Sequence, residues 1–355
     1  MDQRPRLSDV AARVGVSPAS VSLVLRGAPG PSAETRERVL AAAAELGYRA
    51  DRTASLLARR RRHLLGVLLD VRNPFHAELV EEIQVEADAA GYEVVLSTLT
   101  RARDEARAVE TLLDFRSEAL ILLGPDASEG ELAKLAAQVP CVVVGRMARG
   151  VDVDVVRPAD DVGVDAALDH LIGLGHTRIA FVDGGRGVVA SSRRRGYRRA
   201  MRRAGLAAQV LPGDHTEEGG IRAGRVIAAD PARPSAVVAS NDRLAVGLMD
   251  ALLRAGVDVP GQVSVVGYDD SSLARLAHID LTSVNQNAHG QARNAVLAAV
   301  SRLDGGRTTA SEMVLVPRLV VRGSTAPPVR TAENHMAGRD EGPVASSAQG
   351  TDGDE

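Results

Sequence analysis

Residues 7–25 read LSDVAARVGVSPASVSLVL. Ser8 is placed to cap a helix running to Val14, and Gly15 is a residue that ends one. Ser17 caps the next helix with Pro18 at its first position, where a missing N–H costs nothing. Val10, Val14, Val16, Val21 and Val24 form an apolar seam, and Ala11 is small where the two helices would cross. Two short helices locked at a steep angle make a helix-turn-helix, whose second helix can enter a major groove. Its exposed face would carry Pro18, Ala19, Ser22 and Leu23, while Ser17, Ser20 and the helix N-terminus can reach phosphates. Ser32 opens a third helix through Leu46, ended by Gly47.

The charge distribution agrees with that reading. Residues 1–63 hold twelve Arg against six acids, a net +6, although the 355-residue chain as a whole carries −3. The remainder is therefore strongly acidic. A basic N-terminal unit on an acidic body is the footprint of a polyanion binder with a second, separate function. Arg26 and Arg52 join the DNA-facing set, and from Asp51 to Leu57 a short helical stretch leads into Arg59–Arg62.

After His63 the rhythm changes to apolar strands alternating with helices. The strands are LLGVLLDV (64–71), EVVLSTL (93–99), ALILLG (119–124) and CVVVG (141–145), then RIAFVDG (178–184), AVVAS (236–240) and SVVGYDD (264–270). Near-continuous apolar strands between helices imply parallel sheets covered on both faces. Two such runs imply two doubly wound lobes, so the fold class is α/β, with an all-α headpiece in front. Residues 331–355 carry one Arg against six acids with no apolar pattern, and read as a disordered acidic tail.

Other chemistry finds little support. The N-terminus has no export signal and no 18-residue apolar run exists, so a cytoplasmic, nucleoid-associated location is expected. The one cysteine, Cys141, lies within an apolar strand and permits no disulfide framework. The eight His show no metal-ligand spacing, DGGRG (183–187) lacks the spacing of a nucleotide-binding loop, and no nucleophile elbow occurs. Asp269 and Asp270 are adjacent at a strand end and point apart. No enzyme, cofactor or metal is expected.

Residues 6–62 resemble the headpiece of the LacI/GalR family, through LSDVAARVGVSPASVS, SAETRERVLAAAAELGY (32–48) and DRTASLLA (51–58). The resemblance continues over about nine-tenths of the chain, through LLGVLLDVRNPFHAELVEEI, DHLIGLGHTRIAFVDG, VVASNDRLAVGLMDAL, VPGQVSVVGYDDSSLARL, LTSVNQ and PRLVVRGST. It implies a homodimeric transcriptional regulator, a repressor of near-palindromic operator DNA whose grip responds to a small molecule such as a sugar. The DNA-binding headpiece would span 1–50 and a hinge helix and linker 51–63. The effector domain would span 64–326, with an N-lobe near 64–158 and 288–316 and a C-lobe near 160–284 and 318–326. Three strands would cross between the lobes near 157–160, 284–288 and 317–319. In the hinge, Leu57 would wedge into the minor groove, with Ala54 packing against its dimer mate. This chain departs from the pattern at Leu23, where an Arg is common, and at Pro18 and Ala19, so hydrogen-bond readout of bases should be thin.

In parallel α/β lobes, ligands sit beyond the carboxyl ends of strands. That places Arg72, Asn73, Phe75, Arg146, Asn241 and Asp269 at a cleft. The resemblance adds Arg193 as a ligand-clamping residue, Gln286 from LTSVNQ, Tyr197, and His215 where the family often has a large aromatic. Arg, Asp and Asn together suit vicinal hydroxyls. A periplasmic-type sugar-binding module without DNA function is the competing reading, and a sugar-modifying enzyme a third.

Overall fold

The computed structural model describes residues 5–25, 27–48 and 61–329. The expected hinge helix and acidic tail lie outside them. The chain divides after His63 into two compact units.

The first unit holds α1 (Leu7–Val14), α2 (Pro18–Leu25) and α3 (Ala33–Glu45). The start of α1 differs from expectation. Ser8 lies within the helix, and the Asp9 carboxylate closes the first turn by accepting from the Arg6 N–H at 2.7 Å. A side chain three residues into a helix can reach back to the cap in this way. Gly15 ends α1 with φ 75°, a left-handed conformation that suits glycine. Ser17 Oγ accepts from the Ser20 N–H at 3.1 Å, and Ser32 Oγ from the Thr35 N–H at 3.2 Å, so both expected caps form. Val10, Ala11, Val14, Val21 and Val24 meet Val39, Ala42 and Ala43 of α3 in one small core.

The second unit contains two six-stranded sheets. The first lobe is built from β1 (Leu64–Asp70), α4 (Pro74–Ala89), β2 (Glu93–Leu99), α5 (Glu105–Asp114), β3 (Ala119–Leu123), α6 (Glu129–Ala136), β4 (Cys141–Val144) and β5 (Asp154–Pro158). The second continues with α7 (Asp160–Gly173), β6 (Ile179–Val182), α8 (Val188–Arg203), β7 (Gln209–Leu211), α9 (Glu217–Ala229), β8 (Ala236–Ala239), α10 (Asp242–Arg254), β9 (Ser264–Asp269) and β10 (Thr282–Asn285). The chain then returns through α11 (Ala288–Leu303) and β11 (Glu312–Leu315) to the first sheet, and ends in β12 (Arg318–Val320) of the second. The sheet orders are β11-β5-β4-β3-β1-β2 and β12-β10-β9-β8-β6-β7. All pairings are parallel except β10 with β12.

Period-two alternation decides which face each strand residue covers. In β1 and β3, Leu65, Val67, Ile121 and Leu123 face α4 and α11, whereas Leu68, Leu120 and Leu122 face α5 and α6. The second sheet repeats the arrangement. Val182, Val237 and Val265 pack on α9 and α10, while Phe181, Val238 and Val266 pack on α7 and α8. With both faces covered, the carboxyl ends of the strands are what remains for a ligand. The expected crossing strands prove to be three short connections at strand ends: β5 to α7, β10 to α11, and β11 to β12. No helix among the described residues is long and apolar enough to cross a membrane.

Candidate functional site

In the first unit, Ser17, Pro18 and Ala19 are exposed at the start of α2, and Ser20, Ser22 and Leu23 are half-buried. The hydroxyls of Ser17 and Ser20 lie 2.9 Å apart, one donating to the other at the helix start. Leu23 leans toward Gly30 instead of standing free. Arg26, Arg52, Ala54 and Leu57 lie outside the described residues. Three of the arginines counted as basic charge carry structure. Arg13 pairs with Glu45 at 2.9 Å, Arg36 donates to Ala28 O at 3.0 Å, and Arg38 donates to Val14 O at 2.8 Å.

In the second unit, the carboxyl ends of both sheets enclose a cleft of about 400 Å³. From the first lobe, Arg72, Asn73, Phe75 and Arg146 line it; from the second, Arg193, His215, Asn241 and Asp269, with Gln286 at the β10–α11 connection. Tyr197 does not. It is fully buried in the second lobe, stacked on Phe181 with ring centroids 5.2 Å apart, and its hydroxyl donates to Ile179 O at 2.8 Å. One helical turn beyond Arg193 on α8, it points down the sheet into the core and away from the strand ends.

Arg193 is the centre of the second lobe's wall. Its guanidinium is 4% exposed, donates from Nε to Asp160 Oδ1 at 3.0 Å and from a terminal nitrogen to Ser240 O at 2.6 Å, and stacks 3.6 Å over the Tyr268 ring. Burial opposes its charge, but Asp160, Tyr268 and Asp269 hold its pKa above the ordinary arginine value. Asp269 Oδ1 lies 3.7 Å from that guanidinium and accepts from Gln286 Nε2. Burial pushes the Asp269 carboxyl well up, Arg193 pulls it down, and the neighbouring Asp242 adds to the rise. Asp242 itself is raised to about 6 by burial although Ser271 and Ser283 donate to it.

Asn241 caps α10 through its side chain, accepting from the Leu244 N–H at 3.0 Å, and its amide nitrogen reaches His215 O at 3.4 Å. His215 sits at φ 55°, with Nε2 2.9 Å from Ser240 Oγ, and burial lowers its pKa to about 3. Its ring lies over Gly184, where any β-carbon would overlap it. On the first lobe's wall, Asn73 caps α4, accepting from the Phe75 N–H at 3.1 Å. Arg72 forms a two-pronged pair with Asp70 at 2.9 and 2.8 Å. Arg146 is 4% exposed and donates to Met147 O and Ala127 O.

Residues outside the expected set also line the cleft, among them His76, Asp126, Arg186, Asp214 and Arg243. His76 Nδ1 accepts from the Asp70 N–H at 3.1 Å, and burial lowers its pKa to about 4. A neutral imidazole accepting at Nδ1 carries its proton on Nε2, so His76 presents a donor to the cleft. Hydroxyl acceptors and donors are thus both met, beside apolar patches from Phe75, Leu79, Leu99, Leu123 and Val144 on one wall and Val188 and Val189 on the other. Among the described residues no cluster could hold a metal ion.

A helix-turn-helix and a two-lobed polar cleft in one chain define a ligand-sensing, DNA-binding transcriptional regulator. Residues 6–51 match the model described as bacterial regulatory proteins, lacI family, and residues 168–325 that of a periplasmic binding protein-like domain. The chain is 35% identical over 337 residues to the HTH-type transcriptional regulator MalR of Streptomyces coelicolor, covering 90% of this chain and 96% of that one. It is 33% identical over 326 residues to the ribose operon repressor of Escherichia coli strain K12, covering 90% and 99%. A lac repressor dimer bound to operator and the anti-inducer ONPF superimposes with TM-score 0.78 at 29% identity, covering 91% and 100%. The chain belongs to the lacI family of bacterial regulatory proteins, and the relatives named are regulators, not enzymes.

Proposed function

We propose that the chain is a repressor that binds near-palindromic operator DNA as a homodimer and releases it when a sugar or sugar derivative occupies the cleft. The observation that carries this reading is the Arg193–Asp269–Gln286 group, buried at the cleft floor of a chain that begins with a helix-turn-helix. Asp269 Oδ2 takes no hydrogen bond from the described residues, so this carboxyl, beside a fixed guanidinium, has an oxygen left for a ligand hydroxyl. The likeness to a ribose operon repressor and to an operator-bound lac repressor supports both halves of the reading.

The proposed mechanism is closure. The cleft walls belong to different sheets joined by three short connections, so a ligand touching both walls favours the closed arrangement. Arg193, Asn241 and Asp269 would hold the ligand on one side, Arg72, Asn73 and Arg146 on the other. Closure would part the paired hinge segments carrying Ala54 and Leu57, at a coupling of about 1–3 kcal/mol. DNA contact would come from Ser17, Pro18, Ala19, Ser20, Ser22, Leu23, Arg26 and Arg52, and the protein's place would be the cytoplasm, on the chromosome.

The test is to select DNA from a random duplex pool with the purified protein, then titrate the selected duplex with sugars. A near-palindromic consensus whose affinity falls with one sugar supports the reading. Equal affinity for random duplex at every sugar concentration refutes it.

A further inference from the structure

Charge accounting around the cleft separates two arginines from the rest. Arg72 is neutralised by Asp70, Arg193 by Asp160 and Asp269, and Arg243 by Glu217. Arg146 is 4% exposed, its one ion pair among the described residues is with Glu129 at 3.9 Å, Glu105 acts on it at longer range, and its Nε is buried with no hydrogen-bond partner. A guanidinium out of water with an unused N–H costs free energy unless something arrives to take it. Arg186, on the Gly185–Gly187 loop of the opposite wall, is exposed and makes no ion pair with the described residues. Against these two cations, one unpaired acid, Asp126, lines the cleft.

The aromatic content points the same way. Phe75 is the single carbocyclic aromatic among the lining residues, Tyr197 being in the core, and His215 is neutral. No pair of carbocyclic rings faces across the cleft to sandwich a sugar, so polar and charged contacts carry more of the recognition.

We infer that the effector is an anionic polyol, a sugar carrying a carboxylate or a phosphate, with the acid group held by Arg146 from the first lobe and reached by Arg186 from the second. This inference rests on the proposed sugar-responsive function and narrows its ligand class. The hydroxyls meet Asp269, Asn241 and the His76 Nε2–H, while the acid group lies against the positive charge of Arg146 and Arg186. Because the two arginines stand on different walls, the anion adds a charged contact across the cleft that a neutral sugar of the same shape lacks.

The experiment is calorimetric titration of the full chain with matched pairs: gluconate and glucose, galacturonate and galactose, glucose 6-phosphate and glucose. An acid form binding at least tenfold tighter than its neutral partner is expected, and which pair shows it distinguishes carboxylate from phosphate. Arg146→Gln should erase that preference, Arg146→Lys should restore part of it, and Arg186→Gln, on an exposed loop where folding is not at stake, should weaken it several-fold. Asp269→Asn should weaken the acid and neutral members of the pair alike. A neutral sugar binding as tightly as its acid, or a preference unchanged in both Arg146→Gln and Arg186→Gln, overturns the anionic inference and leaves the sugar reading standing. No binding by any member of the panel overturns both.

Discussion

The guanidinium carbon of Arg193 lies 3.6 Å over the centre of the Tyr268 ring while its Nε holds Asp160 at 3.0 Å. Asp160 begins α7, directly after the β5 crossing, so this pair fastens the ligand wall to a connection between lobes. Removing the cation strands the Asp160 and Asp269 carboxyls in a buried site, which typically costs 3–5 kcal/mol. Arg193→Met is expected to destabilise the protein by about 3 kcal/mol, read as a shifted urea midpoint. Asp269→Asn keeps the shape and should cost far less while abolishing the effector response. Equal stability of the two variants would remove Arg193 from its structural role.

The arginines of the headpiece divide by role. Arg38 donates to the Val14 carbonyl at the end of α1, so Arg38→Ala leaves that carbonyl unmatched and should cost about 1–3 kcal/mol of headpiece stability. It should leave the salt dependence of DNA affinity unchanged, because the slope of log affinity against log salt counts phosphate contacts, at about 0.9 per contact. A slope reduced by about one in Arg38→Ala would place that side chain on the DNA backbone instead.

Two cleft histidines contribute to the acid limb of stability, alongside His170 and His176, which burial also lowers. Burial lowers His215 to about 3 and His76 to about 4, both below the ordinary 6.5. The unfolded chain therefore binds these protons first as pH falls below 6.5, and stability is lost from there down through pH 4 toward 3. Asp242 acts in the opposite sense. Its folded pKa of about 6 exceeds the usual 3.8, so its contribution is full below 3.8 and is lost as pH rises through 6. His215→Gln should flatten the fall in melting temperature between pH 6 and 4, and Asp242→Asn should steepen the net fall. An unchanged profile in His215→Gln would mean that the imidazole titrates normally in the fold.

Much of the fold was legible because its signals are local. Apolar strands, the caps Ser17 and Ser32, and Gly15 each act within a few residues, and each formed where the pattern put it. The cleft was legible where strand ends dictate it, at Arg72, Arg146, Asn241 and Asp269. It was not legible at His76, whose Nδ1 contact to Asp70 depends on how the β1–α4 turn closes. Tyr197 misled for a related reason. It follows Arg193 by four residues and so shares its helix face, but α8 runs away from the strand ends, and one turn suffices to move a side chain from cleft to core. The charge count of the headpiece overstated its DNA-facing cations, since nothing in the sequence marks Arg13, Arg36 and Arg38 as partners of Glu45 and of backbone carbonyls.

His215 is seated between a glycine and a serine. Its imidazole rests against Gly184, where an added β-carbon would overlap the ring, and Nε2 is tied to Ser240 Oγ at 2.9 Å. Gly184 is also buried, so the backbone has little room to retreat. Gly184→Ala must therefore displace His215, either into the cleft or off Ser240, while the headpiece, a separate compact unit, keeps its own core. Operator affinity without effector should stay within about twofold, since the headpiece core shares no residue with the cleft unit. Effector affinity should fall at least tenfold, measured by titration against the same full-length chain. His215→Ala in the Gly184→Ala background empties the contested space and should recover effector binding if displacement of the ring is the cause. Failure of that second change to restore any binding would show that the β-carbon acts on the loop backbone at Gly184–Gly187 and not through the imidazole.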